Sequence, residues 1–334
     1  MPLKEVLGHR RLVALIARSV SRESLPPSLI FSGPAGVGKR LTAIATAQLL
    51  NCTNRAGEGA AIDACGVCAA CTRIARGVHS DVIVVEPGES GSIKIEQIRD
   101  IVDRAAYRPF EGRCRVVIVD GADGLVPAAQ NALLKTLEEP PTASIFILIT
   151  AQPDLLLATV RSRCPCLRFG PLPAEDVVAA LVQRGRTETE ARAVAATADG
   201  SLRRALESIA GDLVQGREVA EQVLVRAAAT DDPRRRLEGS KDLLNKTGGA
   251  GDREQLAVHL RSIGSLLRDA QILAIHADVR ALSHPDLMPT LERLAQAYGG
   301  DRGLRAFGAV DRALAALDRN ASVKIVADWV MLQL

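Results

Sequence analysis

Short unbroken apolar runs at 29–31, 82–85, 116–119 and 144–150 alternate with longer stretches in which apolar residues return every three or four positions. The runs are rich in Val and Ile, a pattern that predicts strands buried on both faces of a parallel sheet. The periodic stretches predict helices over 41–50, 95–106 and 127–139. In the last of these, Pro127 fits a first helical turn, Leu133, Leu134 and Leu137 share one face, and Pro140-Pro141 ends the helix. Strand–helix alternation predicts a doubly wound α/β domain. After 169–173 the strand signal stops. Helical stretches follow at 175–184, 188–198 and 201–209, and then a helical region runs from about 218 to 334, interrupted at 245–252 and at Gly299-Gly300. The expected fold class is α/β followed by all-α, in three parts: 1–171, 172–213 and 214–334.

Chemistry concentrates in the first part. The run 29–31 leads into Gly33-Pro34-Ala35-Gly36-Val37-Gly38-Lys39-Arg40 and then a helix. In such a loop glycines let backbone N–H groups wrap a phosphate, the helix N-terminus adds partial positive charge, and Lys39 reaches the β- and γ-oxygens. The position after the Lys normally carries Ser or Thr, whose hydroxyl ligates Mg²⁺. Arg40 stands there, with no lone pair to offer a cation. The run 116–119 ends in Asp120, a suitable second metal-site acid, but Gly121 follows where an active enzyme usually carries Glu. Gly33, Gly36, Gly38, Lys39, Arg40 and Asp120 therefore form a candidate phosphate or ATP site in which Mg²⁺ and hydrolysis are not expected.

Cys52, Cys65, Cys68 and Cys71 are spaced C-x12-C-x2-C-x2-C. Four thiolates satisfy tetrahedral Zn²⁺, and with all four positions filled by protein the role is structural. Incidental cysteines usually lie in cores, and an insertion at 52–71 between two helices offers little core. Cys114, Cys164 and Cys166 lack such a context and are expected to be ordinary strand or core residues.

Composition narrows the field. Apolar residues at 47% and charged residues at 24% fit a globular chain. The 42 Lys+Arg against 39 Asp+Glu leave a net charge of +3, far from a DNA-coating protein, and 2% aromatic residues make a base-stacking platform hard to build. No window of about 18 consecutive apolar residues exists, and Met1-Pro2-Leu3-Lys4-Glu5 shows no apolar signal core. Seven cysteines, an odd number with four at metal spacing, argue for a reducing compartment. No membrane partner and a cytoplasmic location are expected.

The segment Asn131-Ala132-Leu133-Leu134-Lys135-Thr136-Leu137-Glu138-Glu139-Pro140-Pro141, followed by Ser162-Arg163-Cys164, closely resembles the AAA+ clamp-loader family. The phosphate loop, the four-Cys insertion and Ile93-Lys94-Ile95-Glu96-Gln97-Ile98-Arg99 narrow the resemblance to the bacterial DNA polymerase III clamp loader. It runs from residue 4 to about 210 and weakens through the C-terminal helices. The resemblance implies an AAA+ parallel-sheet domain with a zinc module, a three-helix lid and a helical collar. It also implies a hetero-oligomer with ATPase (gamma/tau) and delta subunits that loads the sliding clamp onto primed DNA as part of the polymerase holoenzyme. Arg163 falls at the family's trans-acting arginine finger and Arg203 at its second sensor, while Ala151 stands where a polar sensor belongs. Arg40, Gly121 and Ala151 together resemble the delta-prime type of subunit, as does the lack of a long tau-type extension. The alternatives are a hydrolysing gamma/tau-type ATPase in which other residues replace the missing ones, and a zinc-dependent DNA-binding module. Activity of the isolated chain, with and without Lys39, separates the first pair. Balanced charge and few basic residues near the cysteines count against the module.

Overall fold

The structure is a computed structural model that describes residues 2–88, 91–198, 200–207, 212–230, 232–244, 251–278, 282–319 and 321–334. The end of the helix expected at 201–209, most of the break at 245–252, and Asn320 lie outside these residues. The chain forms two compact units, Met1–Asp176 with Gly200–Arg203, and Val177–Asp199 with Arg204–Leu334.

The first unit is built on five strands, β1 Ser28–Ser32, β2 Val82–Val85, β3 Arg115–Asp120, β4 Ser144–Thr150 and β5 Cys166–Arg168. They pair in parallel in the order β2-β3-β4-β1-β5. Side chains alternate across the sheet, so Phe31, Val116, Ile118, Ile147 and Ile149 enter one core while Ile30, Val117, Val119, Phe146 and Leu148 enter the other. This double burial is why the strands read as unbroken apolar runs. Helices α1 Arg10–Ser21 and α2 Lys39–Asn51 contribute Ile16, Val20, Ala43 and Leu49 to the first core, and α3 Ala69–Ala75 adds Cys71 and Ile74. Helices α4 Ile95–Ala105, α5 Pro127–Glu138 and the short α6 Ala158–Arg161 contribute Ile98, Ile101, Leu133, Leu137 and Val160 to the second. The four expected strands and three expected helices are all present. Unread in the sequence were β5, a three-residue edge strand, the short α3 and α6, and α1, which starts after His9 in a left-handed conformation rather than after a Ser, Thr or Asp cap.

The second unit is helical among its described residues: α7 Ala174–Val182, which begins in the first unit, then α8 Glu188–Thr197, α9 Leu202–Glu207, α10 Asp212–Ala228, α11 Pro233–Glu238, α12 Ser240–Leu243, α13 Gly251–Ala274, α14 Met288–Ala297, α15 Asp301–Asp318 and α16 Val323–Gln333. Its core gathers on α13, where Leu256, Leu260, Ile263 and Leu267 make one stripe against Val223 and Leu224 of α10, Leu291 and Leu294 of α14, Val310 of α15 and Val330 of α16.

One buried ion pair fastens a loop to the sheet. Asp81, fully buried, accepts N–H bonds from Phe110, Glu111 and Gly112 at 2.8 Å each, and Arg115 Nη2 donates to it at 2.9 Å. Arg115 also donates to the carbonyls of Arg104, Tyr107 and Arg108. Burial alone raises a carboxyl pKa, but here three N–H donors and the guanidinium outweigh it and hold Asp81 at about 2. Asp81→Ala leaves Arg115 buried without its anion and is expected to cost about 3 kcal/mol in denaturant unfolding. Because the folded value is depressed, the stabilisation is fully present above the ordinary value of 3.8 and is lost as pH falls through about 2. Acid titration of stability in wild type and variant checks both statements.

Candidate functional site

The strand order sends the chain from β1 to β2 at one edge and from β4 to β5 at the other, so the connections diverge between the neighbouring strands β1 and β4. Ligands of open α/β sheets sit beyond the C-terminal ends of the strands at such a point. The loop after β1 lies there. Gly33, Gly36 and Gly38 have φ of 143°, 78° and 105°, a region that side chains rarely adopt. A Cβ on Gly36 would strike Ser201 Oγ and Arg203 Cβ, so the loop is seated closely against 201–203. Arg203 N–H donates to the Gly36 carbonyl at 3.3 Å, and the Arg203 side chain borders the cleft.

The cleft measures about 440 Å³ and is lined by the loop, Lys39, Arg40, Asp120, Gly121, Asp123, Thr150, Ala151 and Arg203. Lys39 is only 7% exposed, and its Nζ donates to the carbonyls of Gly33 and Pro34 at 2.5 and 2.6 Å. Burial lowers its pKa, partly offset by the negative charge of Asp120 and Asp123. Arg40 Nη1 bonds Asp120 Oδ2 at 3.0 Å and pairs with Glu86. Asp123 accepts the Ala151 N–H at 3.1 Å. Gly121 has φ of 82°, and a Cβ there would meet Pro87 Cγ at 3.0 Å. A Glu at that position would therefore need both a strained backbone and a displaced proline.

A magnesium ion does not fit these residues. Mg²⁺ wants oxygen ligands in near-octahedral array. The position that should offer a hydroxyl offers a guanidinium, which already neutralises the carboxylate that would face the metal. The structure thus brings Gly36, Gly38, Lys39, Arg40, Asp120 and Arg203 to one cleft, while Gly33 belongs to the same loop without lining that cleft. Arg163 lies apart from it. It follows α6, pairs with Glu138 at the end of α5, and donates through Nη1 to the Thr159 carbonyl at 2.8 Å. Sequence reasoning missed Glu86 and Asp123, neither of which belongs to a motif. It also missed His9, whose Nε2 meets the Val37 carbonyl at 2.9 Å and whose ring packs edge-on against Phe169.

The four expected cysteines also converge. Their sulfurs all lie within 4.8 Å of one another, against about 3.8 Å between ligands 2.3 Å from a tetrahedral zinc. Gly66, at φ of 76°, makes the knuckle. N–H groups of Cys65, Cys68 and Cys71 point at the sulfurs of Cys52, Cys65 and Cys68, at 3.3, 3.3 and 3.5 Å. Burial pushes the Cys68 thiol up, but the N–H of Cys71 and donors on Thr53 outweigh it and bring it down to about 5. Burial raises Cys52 and Cys71. Asp63 ties the module to the start of the chain by accepting the N–H groups of Leu3 and Lys4 at 2.8 and 3.0 Å. The donor set and spacing fit a zinc ion. Cys114 and Cys164 are buried, with thiols raised to about 11 by burial. Cys166 is an exposed residue of β5.

Fold and loop together define a P-loop domain of the AAA+ type. Residues 8–173 match the family described as DNA polymerase III, delta subunit. Over 179 residues the chain is 36% identical to DNA polymerase III subunit gamma/tau of Mycobacterium tuberculosis, covering 54% of this chain and 30% of that protein. Over 244 residues it is 32% identical to DNA polymerase III subunit tau of Bacillus subtilis, covering 68% and 41%. Over 133 residues it is 42% identical to DNA polymerase III subunit delta' of Pseudomonas aeruginosa, covering 40% and 39%. Residues 8–173 belong to the DNA polymerase III clamp-loader AAA+ family. The matches span between 30% and 41% of the length of these three relatives.

If zinc holds the module together, Cys68→Ser lowers bound zinc from about one per chain to near zero by elemental analysis. The melting temperature falls at the same time, since metal affinity is folding free energy at such sites.

Proposed function

We propose that the chain is a clamp-loader subunit of the delta-prime type, which helps load the sliding clamp onto primed DNA without hydrolysing ATP itself. The observation that carries this reading is the Arg40–Asp120 ion pair, which stands where a hydrolysing site holds its metal. Gly121 and Ala151 remove the water-polarising acid and the polar sensor. Family resemblance divides the chain into an AAA+ domain at 1–171, a helical lid at 172–213 and a collar at 214–334 that joins the ATPase (gamma/tau) and delta subunits. Structural zinc on Cys52, Cys65, Cys68 and Cys71 stiffens the first domain. Among the described residues no helix is long and apolar enough to cross a membrane, which agrees with a cytoplasmic replication protein.

In this reading Arg163 acts on a neighbour's nucleotide. Its guanidinium is one-third exposed and held on Glu138, so it is positioned but exchangeable. Docking against an ATPase subunit replaces the carboxylate with the γ-phosphate and stabilises charge that develops in the transition state. Arg203 keeps the second-sensor position over a site that turns nothing over, and its role here is to close the loop through Gly36.

A second reading has its own support. The matches to gamma/tau proteins run over longer stretches than the match to delta', 179 and 244 residues against 133, which favours an ATPase subunit. In a complex reconstituted with ATPase and delta subunits, Arg163→Ala is expected to lower turnover at the adjoining site on the order of 10³-fold while assembly persists. Unchanged turnover in an intact complex removes the finger. The isolated chain is expected to release no phosphate from ATP, and Lys39-dependent release would establish the gamma/tau reading instead.

A further inference from the structure

Residues 2–9 connect two places that lie at opposite ends of α2. That helix starts at Lys39 in the phosphate loop and stops at Cys52, the first residue of the knuckle, so about 20 Å separates the two ends. Residues 2–9 cross the same gap on their own path. At the knuckle, Asp63 accepts the N–H groups of Leu3 and Lys4 at 2.8 and 3.0 Å, which caps the short turn Leu3–Glu5 with a negative charge. Asp63 exchanges backbone bonds with Ala56 at 2.7 and 3.0 Å and stands two residues before Cys65. Pro2 packs on the knuckle glycine, where a Cβ on Gly66 would meet its ring at 3.1 Å. Leu3, 2% exposed, joins the same core as Cys52 and Cys71. At the phosphate loop, His9 Nε2 lies 2.9 Å from the Val37 carbonyl. A carbonyl only accepts, so Nε2 carries the proton and donates. Val37 stands between Gly36 and Gly38 and is itself buried.

We propose that residues 2–9 are a strap through which metal on the four cysteines sets the order of the phosphate loop. The inference rests on the reading that the cysteines hold zinc, and it adds a consequence of that metal at a distance. The span 53–64 is held by one antiparallel bridge, Ala56 with Asp63, and by a three-residue turn at Gly59–Ala61. Closing Cys52 and Cys65 on one ion fixes both ends of that span, and with them the Asp63 carboxylate. The carboxylate holds Leu3 and Lys4, and the chain then runs to His9, which holds Val37. Without the ion Cys65 is released, Asp63 loses its fixed position, and strap and loop loosen together. α2 is a poor carrier of the same effect, because its backbone bonds are internal and Ala43, Ala47 and Leu49 keep it packed in the core. The strap operates within this chain and stands whether or not Arg163 serves a neighbour.

The test is hydrogen–deuterium exchange of the full chain, read by mass spectrometry on peptides covering 2–9, 33–38 and the strands β3 and β4, with zinc content followed by elemental analysis. In the zinc-loaded chain all of these regions are expected to be protected. Stripping the metal should speed exchange over 2–9 and 33–38 about tenfold, while the strands stay protected. Asp63→Ala, measured in excess zinc with the cysteines loaded, should speed the same two regions, since it cuts the strap and leaves the four sulfurs. His9→Phe keeps a ring against Phe169 but donates nothing, so it should free 33–38 and leave 2–9 protected. If the strands also open on stripping, the zinc-loaded Asp63→Ala chain decides. A loop that exchanges in that chain as it does in the parent overturns the strap, as does a loop that stays protected in the stripped chain. No zinc on the parent chain overturns the metal and the proposal with it; zinc present with the loop unmoved overturns the strap alone.

Discussion

The contact on which the site depends is the hydrogen-bonded ion pair between Arg40 and Asp120. It joins the first turn of α2 to the C-terminal end of β3, two elements that the parallel sheet brings together across β1 and β4. In a hydrolysing P-loop the same gap is closed by a dication with oxygen ligands. A fixed monocation there changes what the cleft can do. It satisfies the acid without a soluble ion. Glu86 reinforces the arrangement, since two carboxylates around one guanidinium need no further positive charge.

Gly121 has two readings, one along the chain and one in the fold. Read along the chain it is a missing acid. In the fold it is also a backbone device, left-handed at φ of 82° with Pro87 against the place a side chain would occupy. Any residue with a Cβ here must overcome both the strain and the contact. The lack of an acid at 121 is therefore set by the path of the chain as well as by the choice of residue.

The sheet was legible because both of its faces are buried. Strands such as β3 and β4 carry apolar side chains at nearly every position, and few other arrangements require that. β5 was not legible: it has three residues, an edge position and Arg168 exposed to water. The phosphate loop was legible because its glycines have a local cause. Glu86 was not, because its partner lies 46 residues away and no spacing rule joins them. The Asp81–Arg115 pair was hidden for a related reason. Arg115 opens a strand that looks like a plain Val-Ile run, and only the three-dimensional path returns Phe110, Glu111 and Gly112 to the carboxylate. The cysteines were legible as a group: x2 spacings bring Cys65, Cys68 and Cys71 together locally, while Cys52 reaches them across twelve residues from the end of α2.

Two cationic side chains with opposite fates follow from these placements. Arg40 and Arg163 both pair with carboxylates, but Arg40 faces into the chain's own cleft while Arg163 sits outside it on Glu138. An inward guanidinium already paired with Asp120 competes with any incoming metal. An exposed surface pair is worth little by itself, because solvent screens it and ordering two side chains costs entropy. On the proposed reading, that weakness lets Arg163 exchange Glu138 for another anion. In that reading a phosphate carrying more charge than Glu138, in a drier setting at a subunit boundary, displaces the carboxylate. What sets Arg40 apart is its pairing with two acids, Asp120 and Glu86, against the single Glu138 at Arg163, rather than burial: the Arg40 side chain is the more exposed of the two.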